Sequence, residues 1–187
     1  MSNDNKYVKL QPSNKWVWID LEMTGLDENT CDILQVAAVV TDPNFNELGN
    51  LDLVIWQPDS VLEKMSPFVR EMHTRNGLLE KVRSSKLSLE FAEYQLSLFL
   101  SKHVPCKQGV LVGNSMYVDR KFLQKHMPSI ETFLHYRQID VSSFKVACSE
   151  WYGPHGKAPK PKSTHTALED IRACMKELKF YKENCFR

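Results

Sequence analysis

Three short runs of apolar, β-branched and aromatic residues follow one another in the first third of the chain and strongly constrain its fold. The runs are W-V-W-I-D-L at 16–21, I-L-Q-V-A-A-V-V at 33–40 and L-D-L-V-I-W at 51–56. These residue types favour strands, and strands so close in sequence pair most simply as an antiparallel meander. Turn-forming residues occupy D-P-N-F-N-E at 42–47, so the second and third strands are predicted to form a hairpin.

Helical spacing dominates the rest of the chain, interrupted by two further short apolar runs. The predicted elements are, in order, a helix that begins after Ser88, a strand at 109–113, a helix from Met116 to Met127 that ends at Pro128, a strand at 136–141, and helices over 142–151 and 167–184. Three antiparallel strands followed by two strand–helix crossovers predict an α/β fold, with a mixed five-stranded sheet flanked by helices.

The composition is that of one ordinary domain. The chain has 187 residues and a formal net charge of +1, which disfavours a protein that binds long duplexes, so any nucleic-acid substrate is expected to be short or locally held. No apolar run approaches the roughly 20 residues of a membrane span. A cytoplasmic location is expected, because no signal or transit peptide is evident, and a mitochondrial pool stays open. We expect residues 1–14 to be a flexible segment and 15–187 to form one domain.

The five cysteines are never closer than eleven positions to one another. No C-x-x-C pair is present, so the spacing gives no indication of a zinc site or a redox motif. An odd number of cysteines in a chain without a secretory signal favours reduced thiols that pack as small apolar residues.

Acidic residues recur where predicted strands end or helices begin. Asp20 and Glu22 close the first strand, and its two-residue period places both side chains on one face. Asp119 follows the fourth strand, at the edge where open α/β sheets usually bind ligands. Asp170 lies in the first turn of the last helix, with His165 on the loop before it. A polar strand edge, or acids that favour a helix dipole, would explain each of these residues without any function.

Taken together, the four acids and the histidine favour a metal site that cleaves phosphodiesters. A set of carboxylate oxygens without thiolates suits hard divalent cations such as Mg²⁺ or Mn²⁺. Two such ions roughly 3.5–4 Å apart would support in-line attack by water on phosphorus. The ordinary pKa of a histidine side chain, near 6.5, suits the role of general base near neutral pH.

Three motifs in the order D-x-E, N-x₄-D and H-x₄-D resemble the motifs of the DEDDh 3′→5′ exonucleases, in the ribonuclease H-like superfamily. In this chain they span Asp20 to Glu22, Asn114 to Asp119, and His165 to Asp170. More narrowly, W-I-D-L-E-M-T-G-L-D, G-N-S-x₃-D-R-K-F-L, H-Y-R-x-I-D-V-S and H-x-A-L-x-D-I resemble the oligoribonuclease family, which degrades RNAs of two to five nucleotides to mononucleotides. The similarity runs from about residue 15 to 186.

This resemblance implies a ribonuclease H-like fold, a homodimer, and a 3′→5′ exoribonuclease that acts on short single-stranded RNA with two Mg²⁺ or Mn²⁺ ions per site. The metal ligands would be Asp20, Glu22, Asp119 and Asp170, and the general base would be His165. The implied substrate contacts within the chain are Leu26, as a wedge between the bases of a dinucleotide, and also Met23, Phe68, His73 and Ser115. Arg137 and Ser142 of the partner subunit would contact the terminal phosphate. Tyr136 would lie near the dimer contact.

Tyr136 and Arg137 are neighbours on the predicted strand, so their side chains are expected to point to opposite faces.

Three positions depart from the family pattern. Phe68 stands where a Trp is more frequent, Gln35 replaces a frequent Glu, and Thr166 replaces a frequent Arg. None of the three is an implied metal ligand, so we expect the departures to alter substrate affinity and not the reaction.

Two other functions fit parts of the sequence. An exonuclease of longer single strands or of DNA would make use of the basic K-A-P-K-P-K loop at 157–162, which otherwise is a solvated connection. The near-neutral net charge argues against this function. A catalytically inactive binding or scaffold protein could share the same fold. Retention of all four acids and the histidine argues against that alternative.

Overall fold

Five strands form one mixed sheet in the order β3-β2-β1-β4-β5. The structure, a computed structural model, describes residues 13–159 and 166–186. The antiparallel strands are β1 (Trp16–Met23), β2 (Ile33–Thr41) and β3 (Glu47–Val54), and β4 (Val110–Gly113) and β5 (Gln138–Asp140) continue the sheet in parallel beside β1. The predicted meander, hairpin and five-stranded mixed sheet are therefore confirmed. Of the predicted N-terminal segment, only residues 13 and 14 lie within the described part.

Helices cover both faces of the sheet. They are α1 (Asp59–Leu62), α2 (Pro67–Arg75), α3 (Leu78–Ser84), α4 (Leu89–His103), α5 (Tyr117–His126), α6 (Pro128–Phe133), α7 (Val141–Tyr152) and α8 (Ala167–Asn184). Ser88 caps α4 as predicted, because its side chain accepts a hydrogen bond from the Phe91 N–H. Within the described ranges, no helix is long and apolar enough to cross a membrane.

Alternation along β1 divides its side chains between two cores. Val17, Ile19 and Leu21 pack with apolar residues of α4 and α5 on one face. Trp18 packs on the other face with residues of α7 and α8. Because Asp20 and Glu22 follow Trp18 at two-residue intervals, the strand delivers both carboxylates to the face that α8 covers.

The second strand lies between β1 and β3 and supports this arrangement. All nine residues of β2 are buried, and β2 pairs with β1 along nearly its whole length.

Three of the cysteines, Cys148, Cys174 and Cys185, are free thiols buried in the core between the sheet and the helices α7 and α8. Their burial agrees with the predicted structural role.

Three local predictions need correction. Pro128 follows α5 as expected but also begins α6, since proline is well tolerated at the first helical position. The predicted strand at 136–141 is shorter, because β5 begins only at Gln138. The Arg137 guanidinium lies 5.5 Å from the centre of the Tyr136 ring. The prediction that these two side chains point to opposite faces was therefore wrong, because strict alternation holds only within a strand.

Candidate active site

Three carboxylates from β1 and α8 converge at one end of the sheet. One oxygen from each of Asp20, Glu22 and Asp170 lies within 4.8 Å of the other two. Strand alternation presents the first two, and packing of Ile171 into the core brings the first turn of α8 over them. All three residues are half-buried, so their oxygens are shielded from bulk water and still accessible to a small ion.

Asp119 joins the site from the opposite side of β1. It lies in the first turn of α5 and is buried, and its Oδ1 accepts a hydrogen bond of 3.0 Å from the Leu21 N–H. Leu21 stands between Asp20 and Glu22 in the strand, so this bond fixes the start of α5 to the backbone that carries both acids. The negative charge of Asp119 raises the pKa of each of these neighbours.

Burial and repulsion from neighbouring acids raise the pKa of Asp20, Glu22 and Asp119. Burial, followed by repulsion from Asp170 and Asp119, raises the pKa of Glu22 to about 8. Burial raises the pKa of Asp119 to about 7, although the Leu21 N–H works in the opposite direction. The pKa of Asp20 is also well above its ordinary value, mainly through burial. A divalent cation would offset this repulsion, so the all-carboxylate donor set fits Mg²⁺ or Mn²⁺.

His73 lies beside Glu22 of the acid cluster and is fully buried. Its Nδ1 lies 3.9 Å from Glu22 Oε2, and its Nε2 lies 3.0 Å from the carbonyl oxygen of Met23. A carbonyl oxygen only accepts hydrogen bonds, so Nε2 carries the proton of this contact. Of the implied substrate contacts, His73 and Met23 thus meet each other at the end of β1, directly beside Glu22.

Leu26 projects from a tight loop that follows β1, and its side chain is 75% exposed. Two hydrogen bonds of 2.9 Å between Thr24 and Asp32 close the base of this loop. A Cβ atom at Gly25 would lie 2.6 Å from the Cys31 sulfur, so the chain needs glycine there to pack closely. The loop therefore holds an apolar side chain out in solvent next to the acid-bearing strand.

The three departures from the family pattern occupy different environments. Phe68 lies in the first turn of α2 and is 76% exposed, so an aromatic face is available to solvent. Gln35 pairs with Glu22 across β1 and β2 and donates a 2.6 Å hydrogen bond to Asp52. A neutral amide at this position adds no further charge opposite Glu22. Thr166 is the N-cap residue of α8, directly before the helix that carries Asp170.

Ser115 and Ser142 form a hydroxyl pair at the ends of β4 and β5, with their oxygens 3.3 Å apart. Asp140 holds the pair in place. One of its oxygens accepts from the N–H groups of Ser115 and Ser142, and the other accepts from the Met116 N–H. Sequence reasoning missed Asp140, although an Asp before a helical segment is an ordinary N-cap signal. Its second function, binding the loop after β4, depends on a contact between distant residues.

The contacts of the described residues do not bring Arg137 to the acid cluster. Arg137 is exposed before β5, where its guanidinium packs over the Tyr136 ring. His165 lies outside the described residues, as do residues 160–162 of the basic loop.

Comparison with known proteins identifies the family. The family model described as Exonuclease, RNase_T, matches residues 17–178. An oligoribonuclease of Francisella tularensis subsp. tularensis (strain WY96-3418) is 43% identical over 175 residues, which cover 93% of this chain and 97% of that protein. The mitochondrial oligoribonuclease of Mus musculus is 42% identical over 177 residues, which cover 94% of this chain and 75% of that protein. The chain belongs to the oligoribonuclease family.

Solved structures show the ribonuclease H-like fold of this oligoribonuclease-family member. The Escherichia coli exonuclease I complex with single-stranded DNA and zinc superposes with a TM-score of 0.70 at 17% identity, over 95% of this chain and 42% of that one. Exonuclease I of Methylocaldum szegediense gives a TM-score of 0.69 at 16% identity, over 91% and 41%. The chain spans about two fifths of the length of these solved chains. As a member of an exonuclease family, it is a nuclease that hydrolyses phosphodiesters.

The raised carboxyl pKa values predict that the metal-free protein loses stability as the pH rises. Glu22 has an ordinary pKa of 4.5 and a folded-state pKa of about 8, so between these values the folded state keeps a proton that the unfolded state has lost. The free energy of unfolding should therefore fall across this window. Saturating Mg²⁺ should flatten the decline, because it replaces the proton as the partner of the carboxylate. Denaturant unfolding at several pH values measures both effects.

Glu22→Gln is the matched control, since it removes the titrating group and keeps the shape. Its free energy of unfolding should decline less steeply with pH than that of the wild type. Identical pH profiles for the two proteins, or a wild-type profile that Mg²⁺ leaves unchanged, would contradict the assignment of Glu22 to a cation site.

Proposed function

We propose that the protein is a 3′→5′ exoribonuclease that hydrolyses oligoribonucleotides of two to five nucleotides, dinucleotides in particular, to 5′-mononucleotides. The observation that carries the proposal is the convergence of Asp20, Glu22 and Asp170 within 4.8 Å, with Asp119 hydrogen-bonded to the strand between the first two. Relatives named oligoribonuclease support RNA of short length as the substrate. The net charge of +1 agrees with a substrate that carries few phosphates.

The four acids would hold two Mg²⁺ or Mn²⁺ ions. When bound, these cations supply Lewis acidity to the attacking water and to the leaving oxygen. Burial, followed by repulsion from neighbouring acids, raises the pKa of Asp20 and Glu22, and cation binding would relieve that repulsion. The Leu21 N–H and the two cores on either side of β1 keep the oxygens in place before substrate arrives.

The reaction consumes one water molecule for each nucleotide released. The water oxygen bonds to phosphorus, the bond from phosphorus to the 3′ oxygen of the preceding nucleotide breaks, and the released nucleotide keeps the 5′-phosphate. In this proposal His165 accepts the proton of the attacking water. It directly precedes the N-cap residue of α8, the helix that carries Asp170.

Exposed apolar side chains on the loop after β1 and on α2 would hold the bases. Leu26 would insert between the two bases of a dinucleotide, and Phe68 would present an aromatic face for stacking. His73 and Met23 support this end of the site from beneath, through their contact with each other and the position of His73 beside Glu22. The loop closed by Thr24 and Asp32 keeps Leu26 in position.

The terminal phosphate would be held across a homodimer interface. We place Arg137 and Ser142 of a second subunit on the phosphate, with Tyr136 near the contact between subunits. Because Ser115 and Ser142 lie side by side within one chain, the subunit that supplies Ser142 also brings its own Ser115 to the same place. An exposed guanidinium can bind a phosphate through two hydrogen bonds, a geometry that a lysine does not offer.

A ladder of 5′-labelled RNA and DNA from two to twenty nucleotides tests the proposed substrate. In Mg²⁺ the wild type should digest RNAs of two to five nucleotides fastest, and Asp119→Asn should lose at least about 10²-fold in rate, because charge is lost at a ligand. The amide oxygen that this substitution introduces can still accept the Leu21 N–H, so the fold should be retained. Equal rates on long RNA or on DNA would favour the alternative substrates, and an active Asp119→Asn variant would remove Asp119 as a ligand.

His165→Ala should lower kcat by about 10²–10⁴-fold, because it removes the proton acceptor and none of the carboxylates. Calorimetric titration with Mn²⁺ should show cation affinity close to that of the wild type. A variant that loses cation binding together with activity would make His165 a ligand and not the base.

Leu26→Ala should weaken the binding of a dinucleotide by about 1–3 kcal/mol, the order of one apolar side chain, and should affect a 5′-mononucleotide less. Equilibrium binding of both ligands to the Asp119→Asn protein measures the difference. The exposed Leu48→Ala variant is the matched control, since this side chain lies on the edge strand β3. Equal losses for the dinucleotide and the mononucleotide would exclude the wedge.

Mixed dimers test whether the partner subunit contributes Arg137. Homodimers of Asp119→Asn and of Arg137→Ala should each be nearly inactive. A heterodimer of the two should recover up to about half of the wild-type activity per dimer, because one site then combines intact acids with an intact arginine from across the interface. Heterodimers that form and stay inactive would place Arg137 in its own chain's site or outside any site.

A further inference from the structure

A cavity of about 290 Å³ extends from the acid cluster between α7 and α8. Asp20 and Asp170 line one end of it. Glu177, farther along α8, and Lys145 of α7 line the other end. Trp18 contributes to its apolar floor. The proposed nuclease chemistry involves the acidic end of this cavity and leaves the end with Lys145 without a role.

A fixed acid holds the Lys145 ammonium group at the wall of the cavity. Lys145 Nζ lies 3.4 Å from Glu177 Oε1, and the same oxygen accepts a 2.9 Å hydrogen bond from the Tyr181 hydroxyl. Glu177 is buried, whereas the Lys145 side chain is 64% exposed. An ammonium group has three N–H donors, so the contact with one carboxylate oxygen leaves Lys145 able to donate to a second acceptor.

The charges around the cavity favour an anion as that second acceptor. Among the cavity-lining residues in the described ranges, Lys145 is the one cation, and the other charged groups are Asp20, Asp170 and Glu177. Two divalent cations would offset the four carboxylates of the cluster. An incoming phosphate would still carry its own negative charge, which a nearby ammonium group can neutralise.

We propose that Lys145 is a substrate-binding residue of its own chain's site, where its ammonium donates to a non-bridging oxygen of the phosphate held over Asp20 and Asp170. Glu177 is a positioning residue that keeps the ammonium at the cavity wall. The inference rests on the proposed function, because it takes the phosphate to be that of a nucleotide. The competing explanation is that Lys145 serves only to neutralise the buried Glu177.

Lys145→Gln removes the charge, and Lys145→Arg keeps it as the matched control. Lys145→Gln should raise the KM for a 5′-phosphorylated RNA dinucleotide in Mg²⁺ about 10-fold, the order of one charge-assisted hydrogen bond, with kcat within about 3-fold of the wild type. Calorimetric affinity for a 5′-mononucleotide in Mg²⁺ should fall by a similar factor. Lys145→Arg should stay within about 3-fold in all three quantities.

The double variant Lys145→Gln with Glu177→Gln separates phosphate binding from neutralisation. Glu177→Gln removes the acid and keeps an acceptor for the Tyr181 hydroxyl. If Lys145 only neutralises Glu177, the double variant should regain the wild-type KM and mononucleotide affinity. If Lys145 binds the phosphate, no recovery is expected, because the donor to the phosphate is still missing.

Unchanged KM and mononucleotide affinity in Lys145→Gln, or full recovery in the double variant, would overturn the inference. Thermal unfolding of each variant shows whether a change in KM accompanies a loss of fold. A wild-type protein that hydrolyses no oligonucleotide would contradict the proposed function alone. In that case the mononucleotide affinity of the variants still decides the role of Lys145.

Discussion

Repulsion among partly buried carboxylates is the constraint on which the rest of the structure depends. Asp20, Glu22 and Asp170 converge within 4.8 Å of one another. Burial, followed by repulsion from neighbouring acids that include Asp119 and Asp170, raises the pKa of both Asp20 and Glu22. Such an arrangement costs folding free energy, which the surrounding apolar packing must offset. The offset comes from a strand pair buried between two cores, with all nine residues of β2 out of solvent. The site is therefore built on the most deeply buried part of the sheet.

Backbone N–H groups, in addition to the two cores, hold the acidic residues in position. The Leu21 N–H fixes Asp119 to β1, and three N–H groups fix Asp140 between the ends of β4 and β5. Both carboxylates lie where parallel strands end, so the helices that follow start from defined positions. This explains how acids from separate segments can reach one point, and how the serine pair comes to lie at the same edge of the sheet.

Local patterns predicted the parts of the fold that depend on neighbours in sequence. The two-residue period placed Asp20 and Glu22 on one face, and the Ser88 cap and the bounds of α8 followed from ordinary helix signals. The pairing of Lys145 with Glu177 had no such signal, because it depends on how α7 packs beside α8. The relative direction of Tyr136 and Arg137 was predicted wrongly, since β5 begins after both residues. Long-range packing and exact strand ends therefore account for what the sequence left undetermined.

Proton release on cation binding tests the central claim most directly. Mn²⁺ binding can be measured by titration calorimetry at pH 7 in two buffers of different ionisation enthalpy, which counts the protons exchanged. The folded-state pKa values of about 8 for Glu22 and about 7 for Asp119 mean that the metal-free cluster still holds protons at this pH. The account predicts net proton release as the cations bind, because the ligands must be deprotonated. Cation binding with the same heat in both buffers would contradict the claim that these carboxyls form the metal site.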